Sequence, residues 1–163
     1  MGWALRRAAL ADLDAIMVIE TSTFGSDAWS IDAMRGDLGS IHTFYLVAER
    51  DDESRAVDGY AGLLTPAGAD EGDIQTIAVA ESARRSGLGR ALMNALIGEA
   101  RKRGVREIFL EVRADNPAAR TLYESLGFDE IATRPKYYQP DGVDAVVMRL
   151  SVPDPVTRPA VGT

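Results

Sequence analysis

Residues 75–96 read Q-T-I-A-V-A-E-S-A-R-R-S-G-L-G-R-A-L-M-N-A-L, and no other stretch limits the fold as much. It starts as a strand: Ile77, Ala78 and Val79 form a short apolar run, with Ile74 just upstream. It ends as a helix, with Leu88, Leu92, Ala95 and Leu96 recurring on one face. Between them lies Arg84-Arg85-Ser86-Gly87-Leu88-Gly89-Arg90. Two glycines one residue apart at a helix start free the backbone to turn tightly and bare its N–H groups. Such groups, together with the helix dipole, make an anion site. The local reading is a phosphate-binding turn. It is no Walker loop, because no Gly-Lys-Ser/Thr ending is present, and it lacks the third glycine of a dinucleotide fingerprint. On spacing alone, a helix N-terminus with a flexible lead-in explains it equally well.

The rest of the chain arranges itself around this transition. Residues 3–8 suit a strand, and a helix opens at Leu10-Ala11-Asp12 with Asp12 as its cap. Leu13, Ile16 and Met17 mark the apolar face of that helix, widened by Val18 and Ile19. A second short helix starts at Ser30 and ends near Gly39. Residues 43–49 and 57–65 are two strands of a hairpin, followed by a loop over 66–72. The helix after Gly87 stops at Lys102-Arg103-Gly104, a basic last turn followed by glycine. Residues 107–112 form another strand, and Asn116-Pro117 caps and opens a helix that stops at Gly127. Strands over 128–133 and 145–150 close the fold, separated by 135–144. A proline-rich tail without periodicity, expected to be disordered, begins at 151. This order of elements predicts a single α/β domain over 1–150, a mixed, mostly antiparallel sheet flanked by helices.

Composition excludes several functions. The chain has no cysteine and one histidine, His42, so neither a thiol nucleophile nor a zinc site is expected, and no metal is called for. No apolar run approaches the ~20 residues of a membrane span. The N-terminus, M-G-W-A-L-R-R, lacks the apolar core of a signal peptide. A soluble, cytoplasmic protein is expected. The net charge of −7 argues against a nucleic-acid surface; it serves solubility first and is compatible with a cationic substrate.

Three stretches together resemble one family. Arg84-x-x-Gly87-x-Gly89, preceded by Ile77-Ala78-Val79, resembles the acetyl-CoA pyrophosphate loop of the GNAT N-acetyltransferases. L-E-V-R-A-D-N-P-A-A-R-T-L-Y-E-S-L-G-F at 110–128 and R-P-K-Y-Y-Q-P-D-G-V-D-A-V-V-M at 134–148 extend the resemblance, which covers residues 3–150. The combination is similar to the RimI branch, which acetylates the N-terminal amine of a small-subunit ribosomal protein. The resemblance implies a GNAT fold and acetyl-CoA as cosubstrate. It also implies a protein beginning with alanine as acceptor, with a basic residue next. A GNAT enzyme acting on a small amine, or an acetyl-CoA-binding module without turnover, are the alternatives.

Acetyl transfer to an amine needs a base, a donor for the developing oxyanion and a proton for the departing thiolate. Strand alternation puts Glu111 on one face with Phe109 and Arg113. On spacing alone a salt bridge to Arg113 or a solvent-facing edge position explains it better, but the resemblance makes Glu111 the base. Tyr123 lies two helical turns after Asn116. Core packing would explain it, yet the resemblance makes Tyr123 the acid that approaches the sulfur. Asn116 resembles a cofactor contact and is also a plain helix cap. The resemblance also places the pantetheine arm along Ile77-Ala78-Val79, on a strand that splays from its neighbour, with the Val79 N–H as oxyanion donor. The cofactor set is thus Ile77, Ala78, Val79, Arg84, Arg85, Ser86, Gly87, Leu88, Gly89, Arg90, Asn116 and Tyr123. The resemblance puts Trp29, with Asp27 and Ser30, in a substrate-side loop, and Tyr137 and Tyr138 in the closing hairpin that forms the other wall; ordinary aromatic packing explains Trp29 equally well. Asp115 departs from the family pattern, facing the cofactor's phosphates or pointing away.

Overall fold

A computed structural model describes residues 2–152. One seven-stranded sheet runs through it in the order β1-β2-β3-β4-β5-β7-β6. The strands are β1 (Trp3–Arg7), β2 (Thr43–Arg50), β3 (Val57–Leu64), β4 (Glu71–Val79), β5 (Glu107–Arg113), β6 (Asp129–Tyr138) and β7 (Val143–Ser151). The helices are α1 (Leu13–Phe24), α2 (Ile31–Leu38), α3 (Leu88–Lys102) and α4 (Pro117–Ser125). All strand pairs are antiparallel except β4–β5, which α3 connects as a parallel crossover. Among the described residues no helix is long and apolar enough to cross a membrane.

Side-chain alternation along the strands builds two cores. On β2, Tyr45 and Val47 join α1 and α2 residues Leu13, Ile16, Ile19 and Met34. Leu46 and Ala48 join Leu88, Leu92, Met93 and Leu96 of α3 on the other face. Tyr45 lies flat across its β3 partner Gly62: a Cβ there would stand 2.2 Å from the Tyr45 Cζ. Of the two expected side-chain caps, that of Asn116 forms and that of Asp12 does not; Ser30 adds a third. Ser30 accepts the Ala33 N–H at 3.1 Å, and the Asn116 side chain accepts that of Ala119 at 3.2 Å. Asp12 sits at the cap of α1, but its carboxylate takes the Arg6 guanidinium and the Ala9 N–H instead.

Four expectations change. Val18 is exposed, whereas Glu20 is buried in the apolar face of α1. β4 begins at Glu71, inside the expected loop. β6 runs on to Tyr138, so the closing hairpin turns only over 139–142. Ser151 ends β7, and Val152 is buried with its N–H on the Arg106 carbonyl at 2.8 Å, so the domain passes residue 150. The rest of the expected tail, 153–163, lies outside the described residues.

Two irregularities in β4 shape the space beside it. Gly62 pairs with Thr76 but Leu63 with Ile74, which leaves Gln75 as a β-bulge. One extra residue reverses facing: Ile74 packs on the α3 side, while Ala78 packs on the α1 side. β4 pairs with β5 only over 71–73 and 107–109. Beyond that, β4 keeps to β3 and β5 to β7, and a wedge opens between them.

Candidate active site

The far end of β4 leads into an amide-lined cradle. The Ala80 N–H donates to the Asp58 carbonyl of the β3 side at 2.7 Å. By strand alternation the N–H groups of Val79 and Ile77 face the opposite edge, the wedge that β5 has left. A single 3₁₀ turn, Glu81–Ala83, comes next, then Arg85 at φ 63° and Gly87 at φ 85°. Gly87 holds a left-handed conformation that costs a side chain energy. Gly89 is different: it lies inside the first turn of α3, where a Cβ would meet Leu122 at an ordinary 3.5 Å. Only the first glycine makes the turn. Among the described residues no acceptor takes the backbone N–H groups of residues 85–90. Six consecutive free amides at the start of a 15-residue helix fit a diphosphate.

The arginines divide their work. Arg84 Nε donates to the Val79 carbonyl at 3.0 Å, and Arg90 Nη2 to Ser125 Oγ at 2.7 Å, joining α3 to α4. The Arg85 guanidinium is exposed and has no hydrogen bond or ion pair among the described residues. Ser86 Oγ is turned back onto the Ala83 carbonyl at 2.6 Å. The Asn116 oxygen is occupied by its capping bond.

At the wedge lies a cavity of about 760 Å³ that brings together Glu111, Trp29, Tyr137 and Tyr138. Glu111 faces it from β5, its Oε2 3.7 Å from Arg134 Nε. The alternative that strand alternation allowed, an ion pair between Glu111 and Arg113, does not form among the described residues. Tyr123 does not line this cavity. It is buried on α4, edge-on to Phe128 at 6.1 Å, and its hydroxyl has no hydrogen-bond partner among the described residues. Burial, and then the neighbouring Tyr138, push its phenol up to about 12. Tyr138 is likewise pushed up to about 12, by burial first and then by Glu111, Tyr137 and Asp27.

Glu71, Asp73, Gln75 and Arg134 also line the cavity, and none of them was among the expected site residues. The signal was present, since Glu71 and Asp73 alternate with Gly72 and Ile74 and so share a face. Glu71 and Gly72 fall in the stretch expected as a loop, and so outside any expected strand pattern. Burial, then Glu71 and Glu111, hold the Asp73 carboxyl above its ordinary range. His42 lines a different, smaller hollow of about 490 Å³ near the end of α3.

Two side chains fasten the walls. Glu20 is 1% exposed and accepts the Trp29 N–H at 3.0 Å, Thr76 Oγ1 at 2.9 Å and the Tyr60 hydroxyl. Arg113 donates to Asp27 at 2.6 Å, to both oxygens of Asp115 at 3.0 and 3.2 Å, and to Asp141 at 2.5 Å. Asp115 therefore turns to Arg113 rather than toward the cradle, and the guanidinium holds its carboxyl below the usual range.

A model of the acetyltransferase (GNAT) family matches residues 13–128. The chain is 36% identical over 148 residues to the N-alpha-acetyltransferase RimI of Mycobacterium tuberculosis, covering 89% of this chain and 90% of that protein. It is 50% identical over 94 residues to the ribosomal protein bS18-alanine N-acetyltransferase of Escherichia coli, covering 56% of this chain and 64% of the relative. An uncharacterized Mycobacterium leprae protein is 38% identical over 144 residues, 85% of this chain and 38% of its own length. The chain thus spans less than two thirds of these last two relatives. The crystal structure of the E. coli S18-alanine enzyme matches with a TM-score of 0.81 at 34% identity, over 92% of this chain and 94% of that one. A Sinorhizobium meliloti phosphinothricin acetyltransferase, solved in complex with AcCoA, matches at 0.78 and 25% identity over 100% and 96%.

Proposed function

This chain belongs to the GNAT acetyltransferase family, and from that premise we propose that it is a RimI-like enzyme. In this reading it transfers the acetyl group of acetyl-CoA to the N-terminal α-amine of a protein, a ribosomal protein that begins with alanine. Its place of work is then the cytoplasm. The observation that carries the proposal is the shape of β4: its start lines a carboxylate-rich cavity at the wedge, and its end leads into the amide cradle. One strand joins an acceptor site for a cation to a donor site for an anion.

Acetyl-CoA supplies an activated thioester carbon. The N–H groups of residues 85–90 and the exposed Arg85 would hold its diphosphate, and Ile77-Ala78-Val79 the pantetheine arm. The carboxylates of Glu71, Asp73 and Glu111 attract the ammonium form of the acceptor. An α-amine has a pKa near ~8, so only modest help is needed to free its lone pair at neutral pH. Glu111 takes that proton, directly or through a water, and Arg134 holds its carboxylate at the cavity edge. The Val79 N–H, directed into the wedge, donates to the developing oxyanion. Tyr123, protonated throughout the neutral range, gives its proton to the departing sulfur.

The test is mass spectrometry of peptides after incubation with acetyl-CoA. A peptide starting Ala-Arg is expected to gain one acetyl group at its terminus. The same peptide with a blocked terminus and one free lysine is expected to react far more slowly. Faster acetylation of the lysine peptide, or of a free polyamine, overturns the acceptor assignment.

A further inference from the structure

We propose that Arg113 is a positioning residue that ties both walls of the acceptor cavity to the strand carrying Glu111. The inference rests on reading that cavity as the acceptor site. Its three carboxylate partners come from segments far apart in sequence. Asp27 stands two residues before Trp29, in the connection between α1 and α2. Asp141 stands in the β6–β7 turn, just past Tyr138. Asp115 stands at the exit of β5. The guanidinium also lies 5.1 Å from the centre of the Tyr138 ring. One side chain therefore holds the Trp29 wall, the Tyr138 wall and the strand end that carries Glu111 two residues earlier.

Electrostatics makes the tie specific to arginine. Three carboxylates around one cation leave excess negative charge, so the partners repel one another unless the cation sits between them. Arginine presents a planar fork of donors that meets several carboxylates at once, whereas a lysine ammonium is a single compact charge. The Arg113 side chain is 23% exposed and that of Asp27 16%, so this pair is screened less than one on the open surface. Glu111 does not share the cation, which leaves its carboxylate open to the cavity.

Hydrogen exchange on the full chain tests the tie. In Asp141→Asn, whose site is an exposed turn, exchange is expected to speed up at residues 139–142 and to stay as in the wild type at 25–30, because the Arg113–Asp27 pair remains. Arg113→Lys is expected to speed up both segments together. Steady-state kinetics gives the second readout. Arg113→Lys should raise KM for the Ala-Arg peptide about tenfold, the scale of one charge-assisted hydrogen bond, with little change in kcat or in KM for acetyl-CoA. Faster exchange confined to one of the two segments in Arg113→Lys overturns the proposal, as does an equal rise in both KM values. Should the wild-type chain acetylate no N-terminal peptide while the two segments still respond together, the functional reading fails and the tie stands. Normal turnover with independent segments means the reverse.

Discussion

Glu111 and Tyr123 sit in opposite surroundings, and their variants should differ accordingly. Glu111 faces an open cavity that Glu71 and Asp73 also line. Glu111→Gln is expected to lower kcat by about 10²–10⁴-fold, with partial recovery at high pH as more of the amine becomes free. Tyr123 is buried and stays protonated to about pH 12. Tyr123→Phe should therefore lower kcat without that recovery, and pH–rate profiles of variants with unchanged melting curves separate the two. Asp73 gives a sign test of a different kind. Its carboxyl lies above its ordinary 3.8 in the folded protein. Between 3.8 and that raised value the folded state binds more protons than the unfolded one, so stability falls as pH rises through the window. Asp73→Asn should stabilise the fold at pH 7 by less than ~1 kcal/mol after solvent screening, read as a higher Tm, and the gain should vanish below pH 3.8. The same variant should raise KM for a peptide with a basic second residue.

Within elements, the two glycines of the cradle have unequal duties. Gly87 holds φ 85°, and Gly87→Val should weaken coenzyme A binding by distorting the helix start that carries the free amides. Gly89→Ala meets only ordinary contacts and should leave the melting temperature nearly unchanged. Titration calorimetry with coenzyme A, beside melts of both variants, checks the contrast. Gly62 is the stricter glycine: Gly62→Ala drives a methyl into the buried Tyr45 ring and should cost about 1–3 kcal/mol in denaturant unfolding. Nothing local in Y-A-G-L-L singles it out, because the demand comes from a ring on the neighbouring strand.

Across the whole molecule, the acidic chain is held by carboxylates tied to arginines at separate corners. Asp12 bonded to Arg6, Asp58 bonded to Arg50 and Trp3, and Asp115 bonded to Arg113 all have carboxyls below the ordinary range. Their contribution to stability is present above pH 3.8 and lost as pH falls through their folded values. Asp58→Asn should lower Tm at pH 7, and its difference from wild type should shrink in acid. Legible along the chain were the glycine turn before α3, the cap at Asn116, the alternation of β5 and the order of the elements. Each of these depends on backbone preferences and contacts within a few residues, or on hydrophobic periodicity, and both can be read along the chain. Tertiary structure alone decided the bulge at Gln75, the parting of β4 from β5, the burial of Glu20 and the choice of three aspartates over Glu111 by Arg113. Pairing register and ion-pair partners are settled by which segments the closed loops bring within reach, and residues 27, 113 and 141 become neighbours only once the sheet is complete.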